Sequence, residues 1–340
     1  MLCGSRSYSA IAAWGRHSGL ASAHALGFTP TTPWASTLHT IFGRLDCEVF
    51  EATLGGWADS VVAHTPTTPE APDVAMAVDG QTLRGSQKQG APGPHLLSVL
   101  AHRLGLTLTQ QAVAAKTNEI TEVATVFSPI VWTGRVVTMD TLLTQRQVAQ
   151  TSVAAGGDSV RIVKAQQPQL KTAIAWVFTM PPAGERQESV RTVDVGHGRI
   201  ETRTLTTREA LVGYCAWPGL AQVCAVGRHV STKQTGTERV EGVYGGTSLS
   251  PERATPGRVL ELVRGHWAIE NKAHWGRDVT FDEDHSQVRC GHIPQVRAAL
   301  RNTAIGLLRW AGHTNIAAAC RRLAAQPAQA LALIGVEFEN

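Results

Sequence analysis

The stretch VAMAVDGQTLRGS, Val74 to Ser86, decides the fold. An unbroken apolar run ends in an acid and a glycine, as a buried strand does where it reaches the C-terminal edge of its sheet. The same signature returns at RVVTMD (135–140), where a second apolar run stops at Asp140. Between them, HLLSVLAHRLG (95–105) and LTLTQQAVAAK (106–116) read as two strands around a short turn, an antiparallel meander. NEITEVATVFSPIVW (118–132) has helical spacing at Ile120, Val123, Ala124 and Phe127 behind an Asn118 cap. A helix over 144–155 and a strand at DSVRIVK (158–164) complete the order β-β-β-α-β-α-β, that of an α/β domain with a mixed sheet. Asp79 and Asp140 converge if the first and fourth strands are neighbours, an adjacency the sequence leaves open.

Outside this core the periodicity changes. Residues 7–62 alternate helical segments with breaks, and STLHTIFGRLDCEVFEATLGGWADSV (36–61) spaces its apolar residues by three and four after Ser36, read as a cap. This gives a small helical N-terminal domain over 1–63. HTPTTPEAPD (64–73) follows no period and reads as a linker. The main α/β domain covers 74–312. Within it, from about 187 to 250, short alternating runs broken by glycine (RTVDVGHGRIETRTL, AQVCAVGRHVS, EGVYGGTSL) predict an inserted β-rich subdomain. PERATPGRVLELVRGHWAIENKAHW (251–275) returns to helix, with Pro251 near its start and Glu270 well inside. Residues 313–340 form a C-terminal helical tail.

Composition bounds the class. Hydrophobic residues make up 43% and charged residues 17% of the 340, the balance of an ordinary globular chain. No apolar run approaches the roughly 20 residues that span a bilayer, and the N-terminus has no signal-peptide pattern, so a cytoplasmic protein is expected. The six cysteines are scattered without a C-x-x-C pair, which argues for reduced thiols and against a structural zinc. Net charge is +4, and the stretch after His285 carries six arginines (289, 297, 301, 309, 321, 322) against Glu337 and Glu339. Phosphate contact and a solvated helical face both account for that pattern.

Hydrolysis of a phosphodiester needs charge neutralisation and an activated oxygen, which carboxylate-held divalent ions supply. Two strand-end aspartates and a helix-borne glutamate meet that requirement. A lone Asp-Gly would be read as a turn; two such strand ends plus Glu270 bring the site reading level with the turn reading. His266, Glu270 and His274 recur every four residues and offer a second reading, a zinc hydrolase, although the H-E-x-x-H spacing is absent. Trp267 and Trp275 flank this face and are assigned to core packing ahead of base stacking. The run FDEDHSQVRCG (281–291) is read as an exposed loop, and Lys116 and Lys164 as solvated lysines within reach of a phosphate.

AVDGQTLRGS, HLLSVLAHRLG, KTNEI, VVTMD, GGDSVRIVKAQQPQL, HGRIETR, VRGHWAIENKAHWGRDVTFDED and RNTAIGLLRWAGHTNIAAA, in this order, resemble the bacterial insertion-sequence transposases of the H-repeat-associated, ISAs-type subfamily. The likeness runs over nearly the whole chain. It implies a ribonuclease-H-like domain with an Asp-Asp-Glu triad: Asp79, Asp140 61 residues later, and Glu270 a further 130 on. It also implies Mg2+, with Mn2+ as substitute, held by those three side chains, Glu270 helping to orient the attacking water. Element-end and target DNA are the implied partners, with a homodimer on DNA and a nucleoid-associated location. DNA-contact candidates are Arg84, Lys164, His266, Arg277, Arg297 and Arg301, with His266 and Arg277 standing where relatives carry an arginine and a lysine. KGNQP of the family reads Lys164-Ala165-Gln166-Gln167-Pro168 here, an expected change in a tight turn. The chain also lacks an N-terminal helical stretch of its relatives, so a shortened N-terminal domain is expected. An inactive remnant that only binds DNA, and a nuclease without transfer activity, are the alternative readings.

Overall fold

The computed structural model describes residues 1–29, 31–69, 71–87, 92–113, 119–141 and 143–336. Lys116 and Asn118 lie outside them. In chain order the elements are α1 (Tyr8–His17), α2 (Leu20–Ala25), α3 (Ala35–Arg44), α4 (Cys47–Ala63), β1 (Val74–Thr82), β2 (His95–Ala101), β3 (Thr107–Val113), α5 (Glu119–Phe127), β4 (Arg135–Met139), α6 (Arg146–Ala154) and β5 (Asp158–Val163). They continue with α7 (Pro168–Thr179), β6 (Glu188–Gly196), β7 (Arg199–Arg208), β8 (Gln222–Thr232), β9 (Glu238–Thr247), α8 (Pro256–Gly265), α9 (Ile293–Trp310), α10 (Ile316–Ala325) and α11 (Pro327–Ala332). Two compact units are assembled from separate stretches: one from 1–65, 80–118 and 268–340, the other from 66–79 and 119–267. β1 contributes to both.

In the second unit the strand order is β1-β4-β5-β9-β8-β7-β6. β1, β4 and β5 are parallel, with Val74 opposite Arg135 through Val78 opposite Met139, and Val136 opposite Asp158. Their apolar runs are explained by burial on both faces: Met76, Ala77, Val78, Val136 and Val137 are sealed from solvent. β9 pairs antiparallel with β5, Val160 opposite Thr247. The β-rich insertion is therefore an extension of the main sheet, and not a separate subdomain. The reason is chemical: β5 would otherwise leave an edge of unpaired N–H and C=O groups. On one face, Val136, Val160, Leu205 and Val226 pack under Val259, Leu260 and Leu262 of α8. On another, Val163 and Val223 pack with Leu170, Ile174 and Val177 of α7.

α8 begins later than Pro251 suggests. Residues 250–254 close a turn, with Arg253 N and Ala254 N donating to Ser250 O, and the helix starts at Pro256 with Thr255 Oγ1 accepting from Arg258 N. It also ends earlier, at Gly265; Glu270 opens a π-helical turn, Glu270–His274, followed by a second, Gly276–Thr280.

In the first unit the strand order is β3-β2-β1, the hairpin β2–β3 being antiparallel with Leu96 opposite Ala112. α4, capped by Asp46 through Glu48 N and Val49 N at 3.1 Å each, lies against β3. The Ser36 cap is displaced: α3 starts at Ala35 behind Trp34, with no side-chain cap. α9 forms the centre of this unit; Ala304, Ile305 and Leu308 pack with Phe281 and with Ile316, Cys320 and Leu323 of α10. No helix among the described residues is long and apolar enough to cross a membrane.

The pair Gly55-Gly56 on α4 separates packing from propensity. A Cβ on Gly55 would stand 2.4 Å from Leu108 O, whereas one on Gly56 meets nothing within 4 Å. Gly55→Ala is expected to destabilise by about 1–3 kcal/mol and Gly56→Ala to stabilise by about 0.5–1 kcal/mol, read from urea unfolding midpoints.

Candidate active site

Asp79 and Asp140 each follow the last residue that β1 and β4 pair with one another, Val78 and Met139. Opposed residues on neighbouring parallel strands point to the same side, so the two carboxylates leave the sheet on one face, about 4.8 Å apart from strand to strand. Asp79 is partly buried and Asp140 exposed. The adjacency left open by the sequence is thus realised; Asp140 stands just past the end of β4, whereas β1 does not stop at its acid but runs on through Asp79 to Thr82.

Side chains that the sequence did not flag hold this edge in place. Thr144, fully buried, donates from Oγ1 toward the carbonyls of Asp140 and Ile162, each 2.9 Å away. The loop after β5 reaches over: Gln166 Nε2 donates to Thr141 O, and Gln167 Nε2 to Thr144 O at 3.1 Å and Gln145 Oε1 at 3.0 Å. The turn at Lys164–Gln167 therefore closes without the family's glycine, and Ala165 does not enter the left-handed region. Lys164 is exposed at the same end of the sheet. His266, just past α8, meets Thr138 Oγ1 through Nδ1 at 3.1 Å, and burial lowers its pKa. A neutral ring adds no positive charge, so His266 does not replace the arginine of its relatives electrostatically.

In the first unit, Glu270 is exposed at the head of its π-helical turn. The His266-Glu270-His274 stripe does not persist, because a π turn takes more than four residues and His274 is turned inward. Among the described residues no three His, Cys, Asp or Glu side chains gather as a metal-holding group, neither His266, Glu270 and His274 nor Asp79, Asp140 and Glu270. The donors at Asp79 and Asp140 instead fit a hard divalent ion that keeps several waters and needs only one or two carboxylates. Trp267 and Trp275 are 59% and 54% exposed, so core packing is not their role.

The six DNA-contact candidates divide sharply. Arg84 and Lys164 are exposed, Arg84 lying 4.0 Å from Asp284. Arg277, Arg297 and Arg301 are buried, at 0%, 4% and 2% exposure. Glu283, expected in an exposed loop, is buried between two of them: its Oε1 accepts from Arg301 at 2.6 Å and its Oε2 lies 3.3 Å from Arg277 Nε. Arg277 also donates to Gln81 Oε1, and Gln81 Nε2 donates to both oxygens of Asp278 at 3.0 and 2.8 Å. Burial and the nearby Asp284 push the Asp278 carboxyl up to about 6. Arg297 lies over the Tyr8 ring and donates to Ser286 Oγ at 3.1 Å. Gly85 is required here, since a Cβ would stand 2.5 Å from Glu283 O. These three guanidiniums are buried inside the unit, facing Glu283, Gln81, Tyr8 and Ser286. Sequence could not foretell it, because a buried and a solvated arginine leave the same helical spacing.

A mixed sheet whose neighbouring parallel strands carry level aspartates belongs here to a chain of the DDE transposase class. The family described as "Transposase DDE domain" matches residues 70–307. The chain belongs to that family. It is 27% identical to "Putative transposase YncI" of Escherichia coli O157:H7 over 285 residues, 82% of this chain and 71% of that protein. It is 28% identical over 244 residues to "H repeat-associated putative transposase YhhI" of Escherichia coli K12, covering 68% of this chain and 63% of that one.

Removing one member of a buried ionic cluster strands the others. Glu283→Ala should destabilise by about 3–5 kcal/mol, because Arg277 and Arg301 then face each other uncompensated. Arg84→Ala, at an exposed site, should change stability by less than about 0.5 kcal/mol; urea unfolding of both variants checks the contrast.

Proposed function

We propose that this chain is the transposase of a bacterial insertion sequence, with Asp79, Asp140 and Glu270 as the carboxylates that hold two Mg2+ ions, Mn2+ substituting. The observation that carries the reading is the β1–β4 register, which brings Asp79 and Asp140 level just beyond its last pair, Val78 and Met139. Glu270 joins them by family order and by its exposed carboxylate. When bound, such ions neutralise the phosphodiester and acidify the attacking hydroxyl. The protein's part is to hold the carboxylates rigid, through Thr144, Gln166 and Gln167, and to align the attacking oxygen with the phosphorus. Hydrolysis at an element end frees a 3′-hydroxyl, which then attacks a target phosphodiester in line.

DNA is held through exposed cations, Lys164 and Arg84 first, with Arg277, Arg297 and Arg301 as the internal frame. Two element ends processed together call for a homodimer on the DNA. The protein acts in the bacterial cytoplasm, on the nucleoid.

Incubation of labelled element-end DNA with the full chain and Mg2+ should yield cleaved and joined products. Asp79→Asn, Asp140→Asn and Glu270→Gln should each abolish both, as should EDTA. Cleavage without joining would leave a nuclease, and binding without cleavage an inactive remnant. Lys164→Ala should weaken DNA binding evenly across sequences and reduce the salt slope by about one counterion; an unchanged slope in binding titrations would remove Lys164 from the contact set.

A further inference from the structure

Thr138 lies two residues before Asp140 on β4, and alternate strand residues share a face, so its side chain leaves the sheet beside the carboxylate pair. Its register partner is Ala77, two residues before Asp79. Val136 continues the same row and packs under Val259 and Leu262 of α8. His266 comes one helical turn after Leu262, its N–H donating to Leu262 O at 3.1 Å, and so arrives over Thr138.

The hydrogen bonds fix which ring nitrogen carries the proton. Thr138 Oγ1 donates its single proton to Met76 O at 3.0 Å. It can only accept from the imidazole, so Nδ1 is the protonated nitrogen in the 3.1 Å contact. Nε2 then presents a lone pair. The ring also lies within hydrogen-bonding reach of the Thr138 backbone and within electrostatic reach of Asp140, on a side chain that keeps part of its surface in solvent. Burial lowers the pKa and keeps the ring neutral, against the pull of Asp140.

We infer that His266 Nε2 accepts the hydrogen bond of the attacking oxygen and so orients the nucleophile beside Asp79 and Asp140. This rests on the proposed function and assigns the otherwise unused face of the site. Thr138 and Met76 are the anchor that makes the ring an acceptor. The group bound at Nε2 is a water or a hydroxyl, and a phosphate oxygen, which has no proton to give, is refused.

The test uses the full chain and a supercoiled plasmid carrying its gene with flanking DNA, with nicking followed in Mg2+ and Mn2+. His266→Asn retains a donor to Thr138 and removes the acceptor at Nε2. A ring that served only to anchor the helix would leave this variant at the wild-type rate, and that result would overturn the inference. Orientation of the nucleophile predicts a fall in kcat of about 100-fold with KM for the plasmid and the unfolding midpoint unchanged. In His266→Ala, free imidazole should restore nicking; a folded variant that imidazole does not restore also counts against it. Asp140→Asn separates the two levels: loss of nicking there, with His266→Asn fully active, removes His266 alone. Nicking that survives Asp140→Asn, or is absent from the wild type, removes the carboxylate reading and the inference together.

Discussion

The parallel pairing of β1 with β4 is the constraint on which the site depends. Parallel strands cannot be joined by a tight turn, so the chain must leave the sheet and return before β4 can lie beside β1. The register then brings Val78 level with Met139, and the next residue of each strand is an aspartate. A slip of one residue would send one carboxylate to the opposite face. The burial of Met76, Ala77, Val78, Val136 and Val137 opposes such a slip, because it would move every neighbouring side chain between two packed faces. Hydrophobic register and the register of the two carboxylates are thus one quantity.

The polar contacts around this edge act on the backbone more than on the acids themselves. Thr144, Gln166 and Gln167 bind carbonyls in the segment that follows Asp140, so the position of the carboxylate is inherited from hydrogen bonds made by neutral groups. Neutral donors carry no charge that would compete for a divalent ion. The imidazole of His266 follows the same logic, as it is kept neutral by burial and held through a threonine.

The first unit solves a different problem, that of placing charge in its interior. Glu283 between Arg277 and Arg301, and Gln81 between Arg277 and Asp278, satisfy most of one another. A second network joins Glu51 to Gln295 at 2.8 Å and, through Gln110, to Asn302 at 2.9 Å. Burial raises the Glu51 carboxyl to about 7 even with amide donors beside it. Such networks cost much when half satisfied, and so favour a single arrangement of α4, β3 and α9.

The order of strands and helices, the acidic end of β4 at Asp140, and the β character of 187–250 were all written in local patterns, whereas the strand end read at Asp79 was not, since β1 runs on to Thr82. Apolar runs, alternation and three-to-four spacing each follow from how one element meets its own core, and are legible along the chain. Family order carried Glu270. What the sequence did not contain was partnership: that β4 lies beside β1, that β9 closes onto β5, that Glu283 seals two arginines, that Thr138 meets His266. Charged side chains read alike in a sequence whether they meet solvent or each other. Only packing between distant segments removes water from some of them and so decides which are frame and which remain free to meet a substrate.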